Sequence, residues 1–124
     1  MSTMRLGAIS LDCADPAPLG AFWAALLGGE IIVTRDDISV VKLEHVLLTA
    51  MRVENHVPPT WPDAAVPKQA HFDVAVDDLD AAEQRAVSLG ATIADRQPEP
   101  ASHRILLDPA GHPFCVSLVA NFPT

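Results

Sequence analysis

His71 and Asp73 are the two side chains of this sequence best placed to act together. They stand two residues apart in HFDVAV, where Phe72, Val74 and Val76 alternate with His71, Asp73 and Ala75. A strand with that pattern turns the imidazole and the carboxylate to one face. A carboxylate beside an imidazole raises its pKa and sets its tautomer, which suits general acid–base work. The plainer reading is a hydrogen-bonded pair in a cavity wall, and the residue types leave both open. Ser10 and Asp12 occupy the same kind of strand face near the N-terminus, where a solvated or hydrogen-bonded wall is the simpler role. Cys115 lies in the alternating run FCVSLV; nothing around it marks a depressed pKa, so a buried thiol is favoured over a reactive one. Trp61 sits among prolines and polar residues, which makes it a candidate ligand-stacking lid, whereas Trp23 falls on an apolar helix stripe and reads as core. Arg52 and Arg104 fall inside strand patterns; pairing with an anionic substrate is one role for either, and an outward-facing or salt-bridged arginine is the simpler one. His45, His56 and His112 fall in turns or loops and read as solvated.

Bulk properties narrow the partners. Sixteen acidic residues against eight basic ones leave a net charge of −8 with no basic cluster, which argues against nucleic acid and against an anionic membrane surface. No apolar run approaches the ~20 residues that cross a bilayer, and MSTMRLGAIS does not read as a signal peptide. The expected compartment is the cytoplasm, where Cys13 and Cys115 are most simply buried thiols. With 124 residues and 49% apolar side chains, one domain with a proper core is expected.

The elements that must position these residues come as a repeat. Gly7 to Ile31 and Gln69 to Ile93 share the order strand, acidic cap, helix, glycine, strand, with Ala8 opposite His71 and Asp15 opposite Asp78. In the first copy Ile9, Leu11 and Cys13 face one way, and Asp15-Pro16 starts a helix whose stripe is Leu19, Phe22, Trp23, Leu26 and Leu27. Gly28-Gly29 supplies the left-handed exit. Strands follow at Ile31 to Thr34, Ile38 to Leu43 and Val46 to Val53. Glu54 to Lys68 carries four prolines and reads as an irregular loop. In the second copy Asp77 or Asp78 caps a helix with stripe Leu79, Ala82, Ala86 and Leu89. Glu83, three residues after Asp80, reads as part of an acidic first turn. Strands are expected at Ala91 to Asp95, Ser102 to Leu107 and Phe114 to Val119, with a marked turn at Asp108-Pro109-Ala110-Gly111 and a loose NFPT tail.

Each half is thus βαβββ, too small to bury its apolar face alone. The fold class is α+β: two tandem modules, residues 4–54 and 69–120, joined by a linker over 55–68 within a single domain 1–124. Their strands are expected to form a curved mixed sheet around a cavity. Helices cover one face. The other, carrying Ala8, Ser10, Asp12, His71, Asp73, Cys115 and Ser117, lacks a helix and invites a ligand or a partner chain.

In these features the chain resembles the vicinal oxygen chelate superfamily of glyoxalases, bleomycin-resistance proteins, fosfomycin-resistance enzymes and extradiol dioxygenases. The resemblance rests on LDCADPAPLGAFWAALLGGE, HFDVAVDDLDAAEQRAVSLGA and the closing LLDPAGHPFCV, and the wording is most similar to actinobacterial glyoxalase-like proteins. It implies metal ligands on the first and last strands of each module, a His or Gln and a Glu. The matching positions here hold Ala8, His71, Cys115 and a residue near Met51, so His71 alone is conventional. No metal site and no cofactor are expected, with His71 the ligand should a divalent ion bind.

The favoured expectation is a cytoplasmic small-molecule binder or metal-independent enzyme, with His71 and Asp73 as acid–base pair and Ser10, Asp12, Trp61 and Cys115 contacting the ligand. The alternatives are a metal-dependent lyase or isomerase of glyoxalase type, and a regulatory or structural dimer module. The resemblance also implies a homodimer.

Overall fold

Strand β1 (Ala8–Cys13) runs parallel to β4 (Leu47–Arg52), although the two are separated by helix α1 (Pro16–Leu27) and strands β2 (Glu30–Thr34) and β3 (Ile38–Lys42). The crossover through α1 is what makes this pairing parallel. The sheet order is β1-β4-β3-β2, and the second half repeats it as β5 (Phe72–Val76), β8 (Pro113–Leu118), β7 (His103–Leu107), β6 (Thr92–Ile93), with helix α2 (Leu79–Ser88) as its crossover. The computed structural model describes residues 3–123, and the chain divides between His56 and Val57 into two compact units, each one βαβββ module with its own four-stranded mixed sheet.

In the first unit α1 holds to the sheet by apolar burial. Leu19, Phe22 and Trp23 are almost wholly buried, and the two aromatic rings meet edge to face at 5.1 Å. Gly20 lets the helix approach β3: a Cβ there would stand 2.9 Å from Ser39 Cβ and closer still to its hydroxyl. Leu27, counted on the stripe, is partly exposed at the last turn. Gly28 takes the expected left-handed exit, with φ of 71°. Asp15 stands at the N-cap position, but its side chain makes no capping hydrogen bond; Pro16 at N1 has no N–H to leave unsatisfied.

In the second unit α2 is capped by Asp78, which accepts from Ala81 N at 3.0 Å. Glu83 does not serve the cap. It reaches across to Arg104 on β7 at 3.5 Å, as does Asp80 at 3.0 Å, while Arg104 Nε donates to Pro100 O at 2.6 Å. Arg104 is therefore the salt-bridged arginine of the sequence expectation, on the helix-bearing face.

Strand β6 is two residues long rather than the five expected. Past Ala94, whose N–H donates to Ile105 O, the Gln97 side chain takes over the pairing. Its amide donates to Ala94 O and Ile105 O, and its oxygen accepts from Ile105 N. A strand running into Pro98 and Pro100 loses ladder donors, and one glutamine amide replaces them. The Asp108 turn is built as read: its buried carboxylate accepts from Ala110 N and His112 N, and Gly111 adopts φ of 87°. The tail is partly ordered, because Val119–Asn121 forms a 3-10 turn and Asn121 donates to Ser102 O and Ser102 Oγ; Thr124 lies outside the described residues.

Candidate functional site

Three side chains converge on the face of the second sheet opposite α2. His71 immediately precedes β5 and Asp73 is its second residue; Asp73 pairs in register with Cys115 on β8. Because β5 and β8 are parallel neighbours, their same-facing residues stand side by side. His71 Nε2 lies 3.1 Å from Asp73 Oδ1, and the ligating atoms of His71, Asp73 and Cys115 all fall within 4.8 Å of one another. Cys115 is 2% exposed, whereas the His71 and Asp73 side chains are 24% and 43% exposed, so the cluster passes from a buried thiol to a solvent-facing pair.

Burial pushes the Cys115 thiol up from 9.0 to about 12, and Asp73 adds to the effect through its negative charge and its hydrogen bond; Lys68 pulls weakly the other way. A thiol held protonated in this way is a poor nucleophile. The expectation of an unreactive, buried Cys115 therefore has a physical cause in its neighbours.

The linker expected to be irregular is a closed loop that builds one wall of this site. Thr60 N donates to Val66 O at 2.7 Å and Thr60 Oγ1 accepts from Val66 N at 2.9 Å, which ties the loop across its neck. Trp61, just inside that neck, stacks on His71, with ring centroids 4.7 Å apart and planes 24° from parallel, and Lys68 Nζ lies 4.3 Å from the Trp61 ring centre. The Trp61–Pro62 peptide is cis. The face left bare in the sequence reading is thus partly roofed, and Cys115 and Ser117 are buried beneath it. What remains is a pocket of about 400 Å³ bounded by Trp61, His71, Asp73, His103, Cys115 and Phe122.

Of the candidate residues, the fold brings together His71, Asp73, Cys115 and Trp61. Ser10 and Asp12 belong to the first unit and do not line this pocket; the Ser10 hydroxyl is hydrogen-bonded to Thr49 on the neighbouring strand. His103 was not singled out by sequence reasoning. Its signal was present, because the tight Asp108 turn pairs Leu107 with Pro113, and stepping back along both strands pairs His103 with Ser117 and Ile105 with Cys115. The register across that turn places His103 on the Cys115 face. Phe122 and Asn121 gave no such signal, because they reach the pocket only through the closing 3-10 turn.

The four-ligand metal set implied by the resemblance does not fit this chain. Ala8 has no donor atom beyond its backbone, the place near Met51 offers a thioether, and Cys115 stands where a glutamate is usual. Neither Cys13 nor Cys115 is in a disulfide, and among the described residues no helix is long and apolar enough to cross a membrane.

Paired βαβββ modules with a pocket on a helix-free sheet face define the vicinal oxygen chelate class, and comparison with known proteins bears this out. The sequence profile of the glyoxalase-like domain matches residues 8–117; the chain belongs to that family. Among solved structures, a glyoxalase/bleomycin resistance protein/dioxygenase family enzyme from Burkholderia phytofirmans is similar with a TM-score of 0.71 at 16% identity, over 94% of this chain and 99% of that one. A glyoxalase-related enzyme from Fulvimarina pelagi gives 0.68 at 16% identity over 96% and 91%. The bleomycin-binding protein of Streptomyces verticillus, solved with copper(II)-bleomycin, gives 0.59 at 20% identity over 95% and 98%. At these identities the likeness is one of fold. No curated protein matches the sequence significantly.

Proposed function

We propose that this chain is a small-molecule-binding glyoxalase-like protein whose ligand sits in the pocket of its second module, independently of the superfamily's usual two-module metal set. The observation that carries the reading is the convergence of Trp61, His71, Asp73 and Cys115 around a pocket of about 400 Å³, a size within the range of small-ligand sites. Trp61 supplies a stacking surface and His71 with Asp73 supplies directional polar contacts. When His71 Nε2–H donates to Asp73, the other ring nitrogen is the acceptor that the imidazole offers to a ligand proton. The same pair therefore serves a binder, or an enzyme that moves a single proton. The bleomycin-binding protein that shares the fold supports the binding reading. Residence in the cytoplasm and assembly as a homodimer belong to the same proposal, the first in keeping with two buried thiols that form no disulfide.

The test is a thermal-shift screen of a broad metabolite and antibiotic panel on the wild type and on Trp61→Ala. A ligand at one hundred times its Kd adds about 2.7 kcal/mol to stability. The expected result is at least one compound that raises the melting temperature of the wild type and does so far less for Trp61→Ala. A panel in which nothing shifts the wild type, or in which every active compound shifts Trp61→Ala equally, would overturn the assignment of this pocket.

A further inference from the structure

Trp61 is common to two pockets. Beyond the one that holds His71 and Cys115, a second, of about 480 Å³, lies between the tied loop and the β6 end of the sheet. Trp61 and Pro62 bound it on the loop side, and Ile93, Leu107, Asp95 and Arg96 on the sheet side. Its size is within the range of small-ligand sites, and it includes none of His71, Asp73, His103 or Cys115. Both walls are anchored. The Thr60–Val66 bonds close the loop, and Gln97 holds Ala94 O together with the N–H and C=O of Ile105. That clamp fixes the backbone on either side of Asp95 and Arg96, so the two charges are presented from a segment ordered in advance. We propose that this pocket is a second ligand subsite, for a zwitterion with a flat apolar body: an aromatic amino acid or a molecule carrying the same groups.

The walls set the body of the ligand. Indole, proline, isoleucine and leucine side chains offer apolar surface to an aromatic ring. The unmatched charges set its ends. Arg35 pairs with Asp37, and Arg104 with Asp80 and Glu83; among the described residues neither Asp95 nor Arg96 makes an ion pair or a side-chain hydrogen bond. A guanidinium offers a carboxylate two parallel N–H donors, and a carboxylate accepts from an ammonium. Asp63 also bounds the pocket, but one of its oxygens is committed to Ala65 N at 2.9 Å. Two acids and one base around the pocket, in a chain of net charge −8, repel a simple anion. A simple cation leaves the Arg96 guanidinium unmatched and stands beside a like charge. A zwitterion pairs its carboxylate with Arg96 and its ammonium with Asp95, and adds no net charge.

The experiment is a titration of isotope-labelled protein, followed by amide NMR, with three probes of one ring system: tryptophan as zwitterion, indole-3-acetate as anion and tryptamine as cation. The expected result is saturable tryptophan binding that moves the amide signals of Asp63 and of Thr92 to Arg96 and leaves those of Asp73, Cys115 and Ser117 in place. Indole-3-acetate and tryptamine are each expected to bind more weakly by roughly tenfold or more, the scale of one charged hydrogen bond. Arg96→Gln is expected to bring tryptophan down to the affinity of tryptamine, and Asp95→Asn to that of indole-3-acetate. Both side chains are exposed, so these variants keep the fold, and the dispersion of the same spectra reports it. No saturable shift with tryptophan, an equal affinity for either singly charged probe, shifts centred on Asp73 and Cys115, or a tryptophan affinity unchanged in Arg96→Gln would each overturn the proposal. It does not rest on the first pocket: Trp61 bounds both, whereas the substituted Asp95 and Arg96 bound only the second. A panel compound that moves Asp73 and Cys115 while tryptophan moves nothing, or the reverse, separates the fates of the two proposals.

Discussion

Helix α1 buries Leu19, Phe22 and Trp23 against its sheet, whereas α2 buries only Leu79 and Ala86 and relies on the Asp78 cap and the Arg104 ion pairs. The open faces of the two sheets differ as much. Module one presents Ala8, Ser10 and Asp12; module two presents His71, Asp73 and Cys115 under a tied loop. The same βαβββ order thus carries two divisions of labour. Module one's helix is held by apolar area, and its sheet face offers small and polar groups. Module two's helix is held by directional contacts, and its sheet face carries the chemistry.

The largest effect expected from breaking this contrast is in module one. Trp23→Ala should lower stability by about 3–5 kcal/mol, the usual result of removing a fully buried aromatic ring, as read by urea denaturation. Arg104→Met, which removes the ion pairs that hold α2, should lower it by no more than about 1 kcal/mol, since one partner, Asp80, is largely exposed. Comparable losses in the two variants would show that the helices are held alike.

A smaller effect belongs to the open face of module two. In metal-free protein Cys115 has a folded pKa of about 12 against 9.0 for an ordinary cysteine. The folded state therefore keeps its proton where the unfolded chain has lost it. Stability is present below about pH 9 and falls as pH rises from 9 towards 12, with about 1.4 kcal/mol lost by pH 10 from this group. Denaturation at about pH 8 and pH 10 should show a smaller alkaline loss in Cys115→Ala than in the wild type. Equal losses would mean that the thiol is not held protonated.

The smallest contrast is at the helix starts. Asp78→Ala should lower stability by about 1 kcal/mol through loss of its bond to Ala81 N, while Asp15→Ala, whose side chain caps nothing, should stay within about 0.5 kcal/mol. Equal effects at the two sites, measured by thermal melting, would erase this difference between the modules.

The repeat, the two helices and the pairing of His71 with Asp73 were legible in the sequence, because they rest on local periodicity. Alternation sets strand faces, a 3.6-residue stripe sets a helix face, and glycine at Gly28 marks a left-handed exit. Strand ends were less legible: β6 stops at Ile93 because the Gln97 amide replaces the ladder, and a side chain reaching back to the backbone leaves no periodic trace. Asp15 stands at the expected helix start without capping it, and Glu83 is drawn away from the start of α2 by a partner remote in sequence. Residue type suits both to a helix start, but Arg104, far along the chain, is what Glu83 meets.

What the sequence determined by itself is the scaffold and the inventory of its open faces, since both follow from which side chains alternate. Only the tertiary structure decided that Cys115 lies beside Asp73, that His103 shares their face, and that the proline-rich loop closes through Thr60 to stack Trp61 on His71. Those contacts join residues remote in the chain. Strand register, loop closure and burial settle them, and these are fixed by the packed module as a whole rather than by any local stretch.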